Sequence, residues 1–215
     1  VVDTIVYDLE ISKTITEAGG WNKHNNMGLG SAVAYSFNQD KYFFYLHDTD
    51  KSKLIELLNG NRVVTYNGIR FDSKVLLGED REIEKTESGT GIFVYNKFKT
   101  VKWLELDLYL QILKAQHNLN DDYLAVGRFP KGGKGGLKLD GVAQSTLGRE
   151  QRKTSSGAEA PKMYKAGNFS TLLEYNLQDT LLTQKLYNFI LKNGFVKNAF
   201  GEKIDLLINN TGGKN

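Results

Sequence analysis

Asp8 and Glu10 stand one residue apart in the stretch 5–11, IVYDLEI, which is otherwise apolar and rich in β-branched residues. Such a run predicts a buried strand, and side chains i and i+2 of a strand share a face. Both acids should therefore project side by side from the middle of a sheet. Neighbouring carboxylates repel each other, and burying them unpaired is expensive. A divalent cation offsets both costs, and hard carboxylate oxygens suit Mg²⁺ or Mn²⁺ better than zinc. An edge strand with one solvated face would carry the same pattern with no chemistry attached. The rest of the chain has to decide.

Three further features bear on that choice. Asn67-Gly68-Ile69-Arg70-Phe71-Asp72 follows a short predicted strand at 62–66. Its Asn-Gly turn leads into a predicted helix at 71–77, with Asp72 near the N-terminus, where plain helix capping is the alternative role. Near the C-terminus, Tyr175 and Asp179 are four apart and so share a helix face; a solvated face with a snorkelling tyrosine is the alternative. Finally, residues 128–165 hold nine Lys/Arg against Asp140, Glu150 and Glu159, giving +6 there and −3 for the remainder of a chain of net charge +3. That asymmetry suits phosphate contacts, or simply a solvated loop.

The elements that must position these residues read as an α/β pattern. After the first strand, residues 12–30 form a long polar, Gly-rich loop. Strands at 31–37 and 41–46 are joined by a turn at Asn38-Gln39-Asp40. Asp48 or Thr49 is the expected cap of a helix reaching Leu58. Residues 78–91 are charged and turn-rich, 92–107 read as strand, turn, strand, and 108–115 as helix. A polar, Gly-rich passage follows at 116–138, then a helix at 139–147 and a second basic, polar stretch to Gly167. Asn168 or Ser170 should cap a long helix to about Lys192, with Leu172, Leu173, Leu177, Leu181, Leu186, Phe189 and Ile190 suited to packing on the sheet. Gly194 ends it, and residues 204–208 add a small element.

Composition narrows the class. Among 215 residues, 40% are apolar and 25% charged, ordinary for a soluble globular protein, and one domain over 1–215 is expected. No run approaches the roughly 20 apolar residues that span a bilayer, and no secretory signal is legible. An intracellular, cytoplasmic protein is the expectation. There is no cysteine, which excludes disulfides, thiolate metal sites and a cysteine nucleophile.

D-x-E on the first strand, N-G-x-x-F-D after a later strand and Y-x-x-x-D on a C-terminal helix occur in that order. In this the chain resembles the DEDD superfamily of 3′–5′ exonucleases, which have the ribonuclease H-like fold. The tyrosine resembles the DEDDy branch, which includes the proofreading domains of family B DNA polymerases. Residues 27–35, MGLGSAVAY, look like the start of the second strand in those exonucleases, and 137–148, LKLDGVAQSTLG, like the helix and LG turn between the second and third motifs. Asp107, closing WLELD, matches an aspartate at that strand end. The likeness covers about residues 5–191. The chain departs from the polymerases in carrying no polymerase domain, so a stand-alone or excised exonuclease is expected. Glu174 stands where the sister branch has its histidine, and none of His24, His47 and His117 fits that role.

The resemblance implies a central mixed β-sheet flanked by α-helices, with a basic Gly-rich insertion at about 116–167 and a tail at 195–215. It implies a catalytic set of Asp8, Glu10, Asp72, Tyr175 and Asp179 working with two Mg²⁺ or Mn²⁺ ions. Asp8, Glu10 and Asp179 would hold the ion that activates water. Asp8 would bridge to the second, with Asp72 supporting that ion directly or through water. Tyr175 would orient the attacking water, because a phenol with a pKa near 10 is a poor general base. Leu9, Asn67 and Phe71 would touch the terminal nucleotide, and Arg128, Lys131, Lys134 and Lys138 would contact phosphates. The implied substrate is single-stranded DNA or frayed 3′ ends, with a replication or repair partner such as a polymerase or helicase and no membrane. RNA is the alternative substrate, since nothing in the motifs reads a 2′-hydroxyl. A non-catalytic nucleic-acid-binding module is the alternative of another class, and the intact acid set argues against it.

Overall fold

The computed structural model describes residues 1–87, 91–119, 136–150 and 157–208. Its sheet contains β1 (Thr4–Ile11), β2 (Leu29–Ser36), β3 (Lys41–Leu46), β4 (Arg62–Thr65), β5 (Glu82–Lys85), β6 (Ile92–Tyr95) and β7 (Lys102–Asp107), in the order β3-β2-β1-β4-β7-β6-β5. The helices are α1 (Ile15–Ala18), α2 (Lys51–Leu58), α3 (Asp72–Leu77), α4 (Leu108–His117), α5 (Leu139–Leu147), α6 (Ala160–Lys165) and α7 (Phe169–Asn193). A separate ribbon pairs β8 (Phe195–Lys197) with β9 (Lys203–Asp205). β1 runs antiparallel to β2 and parallel to β4, and β4 runs parallel to β7. The expected mixed sheet with flanking helices is therefore present.

β1 is apolar because both of its faces are covered. Ile5, Tyr7, Leu9 and Ile11 enter one core with Leu54 and Leu58 of α2, Val75 and Leu76 of α3, and Trp103 of β7. Val6 enters a second core with Leu110 and Ile112 of α4, Val142 of α5, and Leu182 and Leu186 of α7. Each such leucine contributes roughly 1.5–3 kcal/mol when fully buried. Strand alternation puts Asp8 and Glu10 on the face of Val6, and α7 packs across β1 and β2 on that side.

Four local expectations are corrected. The loop after β1 contains α1, whose N-cap Thr14 and Glu17 form a capping box, and it ends at Gly28 rather than Gly30. The signal was the T-x-x-E spacing. Residues 82–85 form an edge strand whose residues are all exposed, so no apolar alternation marks it. The basic stretch before Gly167 contains α6, with Pro161 in its first turn and Ala160 and Pro161 buried. At the start of α2 the cap position belongs to Asp50, without a side-chain cap bond. Asp48 instead accepts from the Leu29 amide at 2.8 Å.

The buried stripe of α7 also differs from the expected leucine set. Leu172, Leu186 and Ile190 are buried as expected, but Leu173, Leu177, Leu181 and Phe189 are only partly so. Tyr175, Asn176, Asp179, Thr180 and Thr183 take the sheet-facing positions instead. Polar side chains occupy that stripe because it faces Asp8 and Glu10 rather than a purely apolar surface.

Candidate active site

Asp8 and Glu10 leave β1 toward α7, where Asp179 meets them. One carboxylate oxygen from each of the three acids lies within 4.8 Å of the others. Tyr175, one turn earlier on α7, hydrogen-bonds Asp179. Burial pushes the pKa of its hydroxyl up, and Glu10, Asp179 and Asp8 push it further. The phenol therefore keeps its proton. Asn176 is fully buried and donates from Nδ2 to Asp8 Oδ2 at 2.6 Å. The Thr180 hydroxyl reaches the carbonyl oxygens of Val33, at 3.1 Å, and Asn176, at 3.0 Å, which ties α7 to β2 at this level.

An irregularity in the sheet follows Glu10 directly. The register between β1 and β2 slips after Glu10, so that Ile11 pairs with Leu29. A Cβ on Gly30 would lie 2.9 Å from the carbonyl carbon and oxygen of Ile11. Glycine at 30 permits this close approach, and the slip sets the direction in which β1 leaves the acid pair.

Asp72 arrives from the turn after β4. Its Oδ1 accepts from the Leu9 amide at 3.2 Å, which docks the start of α3 against β1. Burial holds its carboxyl well above the usual carboxylate range, reinforced by Asp8 and then Glu105. The turn itself is fixed by Asp107, which accepts from the amides of Asn67 at 2.8 Å, Ile69 at 3.2 Å and Leu110 at 3.2 Å. Asp107 thereby caps α4 and holds the Asn67 backbone, whose φ of +75° asparagine tolerates better than most residues. Burial nevertheless raises the Asp107 pKa to about 6.

β1, the turn after β4, the start of α3, and α7 open onto one cavity of about 550 Å³. Asp8, Leu9, Glu10, Asn67, Phe71, Asp72, Tyr175 and Asp179 all line it. Phe71 also packs against the core of α2 and α3. Lys138 is exposed at the N-cap position of α5 and does not line the cavity. Arg128, Lys131 and Lys134 lie outside the described residues. Sequence reasoning missed Asn176 and Trp21. Asn176 sits three residues before Asp179, a spacing that puts both on one helix face. Trp21 follows two glycines in a polar loop, an uncommon setting for an indole.

A family model of the RNase_H superfamily matches residues 16–191. The chain belongs to that superfamily, in keeping with its mixed sheet and flanking helices. No curated protein matches the chain. Members of the superfamily are usually metal-dependent nucleases, so membership suggests nuclease chemistry. The donor set fits a hard divalent cation, because Asp8, Glu10 and Asp179 offer only carboxylate oxygens and are brought together at the cost of mutual repulsion. No helix among the described residues is long and apolar enough to cross a membrane.

Proposed function

We propose that the chain is a metal-dependent 3′–5′ exonuclease. It hydrolyses phosphodiester bonds of single-stranded DNA or frayed 3′ ends and releases nucleoside 5′-monophosphates. The observation that carries this reading is the convergence of three carboxylates from β1 and α7 to within 4.8 Å in a cavity shared with Asp72 and Tyr175.

In this reading Asp8, Glu10 and Asp179 would hold one Mg²⁺ or Mn²⁺, and Asp8 with Asp72 would serve a second. Such ions supply Lewis acidity and lower the pKa of water. Tyr175, which keeps its proton, orients the attacking water by hydrogen bonding and takes no proton from it. Leu9, Asn67 and Phe71 border the cavity and receive the terminal nucleotide. Lys138, with Arg128, Lys131 and Lys134, contacts phosphates farther along the strand. Trimming of 3′ ends suits an intracellular protein working beside a polymerase or helicase in replication or repair.

The test is a 5′-labelled oligonucleotide, as DNA and as RNA, incubated with Mg²⁺ or Mn²⁺ beside an EDTA control. A metal-dependent ladder shortening from the 3′ end is expected, and the better-cut strand names the sugar. Internal cuts alone, or no cleavage of either strand, would overturn the exonuclease reading.

A further inference from the structure

Trp21 lines the same cavity as the acids, yet 61% of its surface is exposed. A single exposed apolar residue needs no explanation by itself. The framing of this one does. Gly19 and Gly20 precede it with φ of +94° and +116°, backbone conformations that side chains with a Cβ rarely adopt. They turn the chain after α1 and bring Trp21 to the cavity.

Two aromatic rings then brace the indole. Its ring centroid is 6.3 Å from that of Phe71 at an interplanar angle of 67°, and 6.4 Å from that of His24 at 55°. His24 and Phe71 are 5.5 Å apart at 78°. His24 is held in turn by Glu79, which accepts from its backbone amide at 3.1 Å and also pairs with its ring Nδ1. Lys74 of α3 meets the same carboxylate at 3.4 Å. The aromatic corner is thus anchored to α3, the helix that begins with Asp72. No pair in the corner is stacked face to face, so the indole keeps a flat face for another planar group.

We infer that Trp21, braced by His24 and Phe71, is a stacking platform for an unpaired nucleobase at the 3′ end of the bound strand. The proposal rests on the exonuclease reading for the class of its ligand, but its binding test does not depend on cleavage. Every base has a π-face, so the platform tolerates any sequence, and a base in a duplex stack is not free to occupy it. The corner thereby favours single-stranded ends.

The chain has two tryptophans, and Trp103 is buried, so a change of fluorescence on binding reports mainly on Trp21. With metal chelated, a single-stranded oligonucleotide should quench that fluorescence saturably, whereas a blunt duplex should not. In steady-state cleavage, Trp21→Ala should raise KM by about 5- to 150-fold, the range expected for one lost stacked base. Trp21→Phe should recover most of it. An abasic site at the terminal or penultimate position should erase the difference between wild type and Trp21→Ala. An unchanged KM, or the same loss on both abasic substrates, would overturn the platform while leaving the exonuclease standing. If the wild type cleaves nothing, the exonuclease reading falls and the quenching result decides the platform alone: saturable quenching by single strands supports it, and none overturns it.

Discussion

Asn176 Nδ2 donates to Asp8 Oδ2 at 2.6 Å, a bond between residues 168 apart in the sequence that joins α7 to β1. It fixes one oxygen of the acid proposed to be shared between two ions. Asn176→Ala should lower cleavage by roughly 10- to 100-fold and move the metal-activation midpoint to higher concentration, as loss of an outer partner of a metal ligand does. Asn176→Asp, which sets a further carboxylate against Asp8, should do more harm. A metal titration of initial rates checks both. An unshifted midpoint in Asn176→Ala would remove the residue from this role.

Bringing Asp8, Glu10 and Asp179 within 4.8 Å costs repulsion that a cation relieves. Mn²⁺ should therefore raise the Tm of the wild type, by an amount equivalent to about 2.7 kcal/mol at a hundredfold excess over Kd. Asp8→Asn and Asp179→Asn should lose that rise along with cleavage. Without metal they should melt no lower than wild type, because each removes a like charge. Thermal melts with and without Mn²⁺ read this directly. An equal metal-induced rise in the variants would place the cation elsewhere.

The parts of this arrangement that were legible in the sequence are those with a short-range signature. The alternation of IVYDLEI put Asp8 and Glu10 on one face, and the four-residue spacing did the same for Tyr175 and Asp179. That the two faces meet is a matter of tertiary packing, and only the order of the motifs pointed to it. Asn176 was hidden because a buried asparagine on a helix has no distinctive periodicity; its partner lies on another element. The edge strand at 82–85 was missed because its residues are all exposed, leaving charge where alternation would mark a strand. Trp21 was passed over because nothing local says that a loop residue reaches a cavity built by β1 and α7.

Tyr175 is predicted to act as a neutral phenol. Burial, the largest cause, raises its pKa above the ordinary phenol value, and the charges of Glu10, Asp179 and Asp8 add to this while no cation offsets them. Tyr175→Phe should lower kcat by up to roughly 100-fold through misplaced water, with KM little changed. The pH profiles of wild type and variant should have the same shape between pH 8 and 10. An alkaline inflection seen in the wild type and missing from the variant would show that the hydroxyl ionises during turnover, and would sink the orienting role.

Glu105, behind the Asp72 turn, makes a prediction about stability. Burial pushes its pKa from 4.5 to about 7, although Trp103 Nε1 at 2.9 Å and Thr65 Oγ1 at 2.8 Å both donate to it. Below the unfolded value both states hold the proton, and the stability it allows is fully present. As pH rises toward 7 the unfolded chain ionises first, so the folded state loses stability until both are charged. The loss approaches roughly 3 kcal/mol. Glu105→Gln keeps the shape without the charge: its carbonyl can accept from Trp103 while its amide donates to the Thr65 hydroxyl. Asp107, with a pKa raised to about 6, titrates in both proteins, and its charge adds to the upward shift of Glu105. Urea unfolding at pH 5 and pH 8 should show the variant gaining on wild type by roughly 2.5 kcal/mol at the higher pH. A difference that stays constant between the two pH values would mean that Glu105 is already ionised in the folded protein at pH 5.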